Sequence, residues 1–116
     1  TTQVEIFNVA NPAVPVYVST VYRPAWKPSQ QTVYQNGKLY TAWGTEGFTI
    51  DDVSDPSNPV RLGHQAYLGA AVVHGGLQTI SPTPDGNFVV TGEYTNSGDV
   101  RLWNVTNPAA IALVNS

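Results

Sequence analysis

The stretch FTIDDVSDPSNPVRLG, residues 48–63, decides the fold because its first half recurs twice in the chain. Residues 4–12 (VEIFNVANP) and 100–108 (VRLWNVTNP) align with residues 48–56 (FTIDDVSDP). The shared valines, Val9, Val53 and Val105, lie 44 and 52 residues apart. A period of this length is typical of a chain built from repeated supersecondary units.

Each of the three segments has the pattern of a strand that ends in a turn. Apolar residues alternate in its first half, as Phe48 and Ile50 do, which predicts a strand with one face on a core. An Asn-Pro or Asp-Pro pair follows, and it favours a turn because proline cannot donate to a sheet and the Asx side chain accepts from its own backbone. A second apolar run follows each turn, so strands are also predicted at residues 16–22, 60–63 and 111–114.

Two glycine-containing turns supply the remaining strands. Asn36-Gly37 separates the apolar runs 31–34 and 38–43, and Asp85-Gly86 separates the runs 77–80 and 88–92. Both dipeptides favour hairpins because they accept positive φ angles. A full repeat is therefore predicted to contain four antiparallel strands, and the fold class is all-β.

The composition limits the classes of function. A chain of 116 residues that is 41% hydrophobic suffices for one packed domain. With 5 Lys and Arg against 8 Asp and Glu, it has no basic patch for nucleic acid. No apolar run approaches the roughly 20 residues that span a bilayer, so no membrane span is expected in this segment. The absence of cysteine excludes disulfides and zinc–thiolate sites.

The recurring segment resembles the repeat of the LVIVD-repeat proteins of bacteria and archaea, in which D-V-S-D-P-x-N-P-V lies between two strands. Residues 48–63 match well, residues 4–18 match with Asn for Asp, and residues 100–114 match more weakly because Pro15 and Pro59 have no third counterpart. Residues 81–90 also resemble the S-P-D-G hairpin of many propellers, with Thr83 and Pro84 inserted. The resemblance implies a β-propeller, usually exported and often attached to a surface, that serves as a rigid recognition or assembly scaffold.

The predicted strands form an incomplete propeller ring. We expect a half-blade at residues 1–22 and two blades of four antiparallel strands at residues 31–67 and 77–116. Closed propellers have about four to eight blades, so the remainder of a longer chain or additional subunits are expected to complete the ring. In particular, two missing strands are expected to pair along residues 4–9.

The acidic stretch admits two interpretations. Asp51, Asp52 and Asp55 offer oxygen ligands to calcium. The other two repeats carry neutral asparagines at the positions of Asp52 and Asp55, which favours turn formation instead. Asp51 stays unexplained, because Phe7 and Trp103 occupy its equivalent positions.

Four further residues are candidates for binding. His74 precedes an innermost strand, which in a propeller lines the central channel, and is a candidate ligand for a transition metal; the alternative is a loop histidine beside two glycines. Trp26 lies between Arg23 and Lys27 in a proline-rich connector and is a candidate anchor for a protein or carbohydrate ligand. Packing within the connector is the alternative for Trp26.

No catalytic grouping stands at a recognisable spacing in the sequence. We therefore expect a non-enzymatic scaffold segment that acts in protein–protein assembly or ligand recognition, and is secreted, periplasmic or located at the cell surface. One alternative is a propeller domain of a periplasmic or extracellular metal or redox enzyme whose other ligands lie outside this segment. Another is a structural component of a surface layer or filament. No cofactor is predicted beyond the calcium and transition-metal options.

Overall fold

A computed structural model of the protein describes residues 3–22, 24, 29–68, 75–94 and 98–115. Strands dominate these ranges and no α-helix occurs in them, which confirms the all-β prediction. A short 3₁₀ turn, Pro108–Ala110, begins at Asn107, whose side chain accepts a hydrogen bond from the Ala109 N–H. The strands are β1 (Val4–Asn8), β2 (Val16–Val21), β3 (Gln31–Gln35), β4 (Lys38–Ala42), β5 (Phe48–Asp52), β6 (Val60–Gln65), β7 (Gly76–Pro82), β8 (Phe88–Tyr94), β9 (Val100–Asn104) and β10 (Ala112–Asn115).

The strands form three antiparallel sheets, each made of strands that are consecutive in sequence. The first sheet contains β1 and β2, the second has the order β3-β4-β5-β6, and the third has the order β7-β8-β9-β10. Corresponding strands of the two four-stranded sheets pair at corresponding residues. Thr41 on β4 lies opposite Thr49 on β5, and Thr91 on β8 lies opposite Arg101 on β9. β5 and β9 are therefore equivalent, and β1 pairs with β2 as β5 pairs with β6, with a register shift after Ile6 and after Ile50, in agreement with the sequence repeat.

The turn between β3 and β4 is the two-residue hairpin that the sequence predicts. Asn36 and Gly37 have φ angles of 50° and 79°, and Gln35 pairs with Lys38 on either side of them. Positive φ at both central residues suits the twist of a β-hairpin, and glycine adopts it without steric cost.

The hairpin between β7 and β8 has a longer loop, and its glycine is not at the position equivalent to Gly37. The Val53 N–H donates to the Gly37 carbonyl, and the Val105 N–H donates to the Asn87 carbonyl, at 2.8 and 2.9 Å. Gly37 is therefore equivalent to Asn87, and an alignment that matches Gly37 with Gly86 is wrong by one position. The insertion at Thr83 and Pro84 makes the loop long enough to displace its glycine.

The three sheets are stacked, and each has two distinct faces because side chains alternate across a strand. The forward face of the second sheet carries Tyr40 and Ile50 and packs on the third sheet. Its rear face carries Leu39, which packs on the first sheet. By the shared register, the forward face of the first sheet carries Val4 and Ile6, and the rear face of the third carries Val89 and Trp103.

Two apolar cores hold the stack together. The larger core joins the second and third sheets and contains an edge-to-face contact between Phe48 and Trp103, with ring centroids 5.5 Å apart. The smaller core joins the first and second sheets through Val21, Leu39 and Val53. In both cores a forward face meets a rear face, so the same packing rule operates twice.

Gly63 lies where the 3₁₀ turn between β9 and β10 approaches β6 closely. A Cβ atom at this position would collide with the Pro108 carbonyl oxygen. We expect Gly63→Ala to lower the free energy of unfolding by about 2 kcal/mol, because overpacking forces the backbone of the turn to move. Urea unfolding followed by tryptophan fluorescence measures the loss. Val60→Ala, an exposed change on the same strand, is the control with an expected cost below about 1 kcal/mol, and equal costs for the two variants would contradict the close approach.

The described part of the chain contains no helix with the length and apolar character needed to cross a lipid bilayer.

Candidate functional site

The acidic stretch forms turns. Asp52 Oδ1 accepts from the Ser54 N–H at 2.8 Å, and Asp55 Oδ1 accepts from the Ser57 N–H at 3.1 Å. The serine hydroxyls bond to the same oxygens, and the bonds from Ser54 hold the pKa of Asp52 below its usual value. The asparagines of the other repeats make the same bond to the backbone two residues on, at Asn8, Asn11, Asn104 and Asn107. The turn interpretation of Asp52 and Asp55 is therefore confirmed.

Asp51, which turn chemistry does not explain, forms an ion pair with a neighbouring strand of the same sheet. Arg61 on β6 donates from Nε to Asp51 Oδ1 at 3.0 Å and from Nη2 to Oδ2 at 3.3 Å. The same Nη2 donates to the Tyr22 carbonyl, just beyond β2, at 2.6 Å. Arg61 thus connects the rear face of the second sheet to the first sheet.

The two partners of this pair differ in their exposure to solvent. Asp51 is 2% exposed, whereas the Arg61 side chain retains 32% of its surface. Burial raises the pKa of Asp51 above its usual value, and the bonds from Arg61 and Thr49 act in the opposite direction. The pair fills the place that aromatic residues take in the other repeats, so its arrangement is that of a structural contact.

A second charged cluster joins the second and third sheets. Arg101 on β9 forms ion pairs with Glu93 and Asp99, and the Tyr67 hydroxyl donates to Glu93 Oε2 at 3.4 Å. The Glu93 side chain is almost fully buried. The sequence did not predict this cluster, because Tyr67 lies in the segment that follows β6 and is far from Glu93 along the chain. Arg101 therefore serves as the shared cation of two carboxylates.

The four binding candidates lie outside the described residues. His74, the candidate metal ligand, and Arg23, Trp26 and Lys27, the candidate partner contacts, all fall in this category. Their roles stay predictions. Within the ranges that the structure describes, no three histidine or acidic side chains lie close enough together to form a metal site.

The forward face of the third sheet is apolar and uncovered in the described structure. Val100 is 60% exposed, and Val90 and Leu102 lie beside it on the same face. With Asn115, these residues line a hollow of about 320 Å³. The equivalent face of the second sheet is the one that the third sheet covers.

The rear face of the first sheet is the other open surface. A large aromatic residue on a predicted strand is expected to pack between sheets, and Trp103 does so, but Phe7 is 45% exposed and contacts Tyr17 edge-to-face at 6.0 Å. Val9 is also exposed, whereas its equivalents Val53 and Val105 are buried. Phe7 and Val9 are exposed because no described sheet packs on this face.

A groove runs between β1 and the inner strands of the second sheet. It has a volume of about 390 Å³. Within the first sheet β1 pairs with β2 on one edge, and its other edge borders the groove. Apolar side chains that line the groove are Val4, Ile6, Tyr34, Leu39, Val53 and Pro56.

Comparisons of the chain with family models, with curated proteins and with solved structures gave no match. The candidate site is therefore defined by this structure alone. It consists of two open apolar faces and one open strand edge.

Proposed function

We propose that this chain is a segment of a β-propeller of the LVIVD-repeat type and acts as a non-enzymatic scaffold for protein–protein assembly. In this proposal the second and third sheets are blades and the first sheet is half of a blade. The remainder of a longer chain or additional subunits complete the ring. The scaffold is exported, in keeping with its low charge and lack of cysteine.

The observation that carries the proposal is the repeated packing of a forward face on a rear face. Leu39 is buried by the first such contact and Trp103 by the second. The same arrangement leaves two sheet faces uncovered, one that carries Val100 and one that carries Phe7. An exposed apolar face of this kind is typical of a surface that binds another protein. The repeated D-V-S-D-P and N-V-x-N-P turns, each built on an Asx hydrogen bond, also support the family.

The forward face of the third sheet offers a direct test. We expect the 116-residue chain to self-associate as its concentration rises, because burying Val100 and its neighbours removes apolar surface from water. Val100→Glu should raise the concentration at which half the chain is associated by about tenfold or more, since a charge cannot be buried there without a partner. Sedimentation velocity measures this concentration.

The matched control is Val60→Glu on β6, at a similarly exposed valine away from the open face. This variant should associate as the unmodified chain does. A chain that stays monomeric at all concentrations and binds no hydrophobic dye would argue against an assembly surface on this face. Equal effects of the two substitutions would show that added charge alone, and not this face, controls association.

A further inference from the structure

The structure contains a template for what could cover the groove beside β1. In the contact between the second and third sheets, the inner hairpin β3–β4 covers the equivalent surface of the third sheet. Three groove positions, Tyr34, Leu39 and Val53, correspond by register to Pro82, Val89 and Val105. Leu39 and Val53 are buried as Val89 and Val105 are, but Tyr34 is 66% exposed whereas its equivalent Pro82 is partly buried.

The template contact uses two glutamine side chains as well as apolar ones. Gln31 Oε1 accepts from the Ile80 N–H at 2.7 Å, and Gln35 Nε2 donates to the Thr83 carbonyl at 2.7 Å. Both glutamines lie on the forward face of β3, four residues apart, with Val33 between them. They attach one inner strand to the backbone of the next inner strand, β7.

The same backbone positions exist on β3, the strand that contributes Tyr34 to the groove. Ile80 lies opposite Thr91 and Thr32 lies opposite Thr41, so the Thr32 N–H is the equivalent of the Ile80 N–H. Gln35 and Thr83 lie three residues after Thr32 and Ile80, so the Gln35 carbonyl is the equivalent of the Thr83 carbonyl. The groove therefore has an apolar floor and a strand edge, and β3 beside it carries two backbone positions equivalent to those that amide side chains engage elsewhere in the molecule.

We propose that this groove is an acceptor site for a β-hairpin of the same type as β3–β4, supplied by another stretch of polypeptide. Its second strand pairs with the open edge of β1 and extends the first sheet to four strands. Its first strand carries amide side chains at two positions four residues apart, which bond to the backbone of β3. Alternate apolar residues of the hairpin cover Tyr34 and Leu39. The inference rests on the proposed repeat arrangement and adds the chemistry of the partner.

The position of Glu5 adds a charge preference. Glu5 is exposed on β1 and is equivalent to Thr49, which lies opposite Thr41. A basic residue at the Thr41 position of the incoming hairpin would lie directly opposite Glu5. Cross-strand pairs of opposite charge stabilise a sheet, so a hairpin with lysine there is preferred.

The chain supplies its own probe for this site. A labelled synthetic peptide with the sequence of residues 30–43 contains both strands and both glutamines. We expect it to bind the chain and to slow hydrogen exchange of the β1 amides, measured by mass spectrometry. In fluorescence anisotropy, Tyr34→Glu in the chain should weaken binding by about tenfold, which corresponds to about 1.4 kcal/mol. Tyr94→Glu, at an equally exposed tyrosine on β8, should leave binding unchanged.

Changes in the peptide test the chemistry of the partner. Replacing the Gln31 and Gln35 positions of the peptide with alanine should weaken binding by about tenfold. Replacing its Thr41 position with lysine should strengthen binding by about threefold, and Glu5→Gln in the chain should abolish that gain. No protection of β1 at saturating peptide, or equal binding to the Tyr34→Glu variant, overturns the acceptor site.

The Val100→Glu chain separates this inference from the proposed function. Peptide binding that survives Val100→Glu and is lost with Tyr34→Glu supports the groove. Peptide binding that is lost with Val100→Glu and survives Tyr34→Glu overturns the groove but leaves the open forward face as an assembly surface. Self-association without any peptide binding likewise overturns only the acceptor site.

Discussion

Replacing Trp103 with alanine is expected to lower the free energy of unfolding by about 3–5 kcal/mol, the usual cost of deleting a buried tryptophan. Trp103 is 3% exposed and packs edge-to-face on Phe48 across the contact between the second and third sheets. Its indole N–H donates to Thr91 Oγ1 at 2.9 Å, so truncation also leaves a buried hydroxyl without this partner. Urea unfolding followed by far-ultraviolet circular dichroism measures the loss, because the method does not depend on the deleted fluorophore.

Two further variants separate the contributions of Trp103. Trp103→Phe keeps an aromatic ring against Phe48 and loses the hydrogen bond, so its cost should be about 1–2 kcal/mol. Tyr17→Ala removes an exposed aromatic residue from the first sheet and should cost less than about 1 kcal/mol. If Trp103→Ala cost no more than Tyr17→Ala, the two four-stranded sheets would not be packed through this core.

The contact that contains Trp103 also determines how the chain unfolds. Neither four-stranded sheet encloses a core by itself, since the buried residues of each pack on its neighbour. Strands with one uncovered apolar face gain little from folding alone. The second and third sheets should therefore unfold in one transition, and the weaker first sheet depends on the smaller core around Val21 and Leu39.

The sequence predicted the strands and turns because these depend on local signals that repeat. Alternating apolar residues, an Asx residue that accepts from its own backbone, and Asn36-Gly37 act over a few residues, and the structure contains each of them. The repeat also predicted the equivalence of β1, β5 and β9. Equivalence of the two loop glycines could not be read from the dipeptides, because the longer loop between β7 and β8 moves its glycine without changing the register of the strands.

The contacts between sheets were not predictable in the same way. Asp51 pairs with Arg61 across a hairpin, and Arg61 in turn donates to the Tyr22 carbonyl just beyond β2 of the first sheet. The sequence does contain a signal for the Asp51–Arg61 pair, because these opposite charges lie at equal distances from the turn between β5 and β6. The Tyr22 contact and the exposure of Phe7 depend on which sheet covers which face, and no local pattern encodes that.

Arg61→Ala is expected to lower the free energy of unfolding by about 2–3 kcal/mol at pH 7, which is below the cost of breaking a fully buried pair because Arg61 is partly solvated. The substitution leaves the Asp51 carboxylate buried without its cation and removes the bond to the Tyr22 carbonyl. Asp51→Ala should cost less, about 1–2 kcal/mol, because the remaining guanidinium still reaches solvent. Urea unfolding at several pH values measures both.

The pH dependence tests the electrostatic origin of these costs. Since the pKa of Asp51 is raised in the folded chain, its contribution to stability is present in full below the unfolded-state pKa and declines as the pH rises through the folded-state pKa. Arg61 opposes the rise in the pKa of Asp51. The loss of unfolding free energy caused by Arg61→Ala should therefore be largest at neutral pH and should shrink towards pH 4. The cost of Asp51→Ala should change less over the same range. The double variant Asp51→Phe, Arg61→Leu places an aromatic residue where Phe7 and Trp103 stand in the other repeats, and it should be more stable than Arg61→Ala alone. A cost of Arg61→Ala that does not vary with pH would show that the lost bond to the first sheet, and not the buried carboxylate, is responsible.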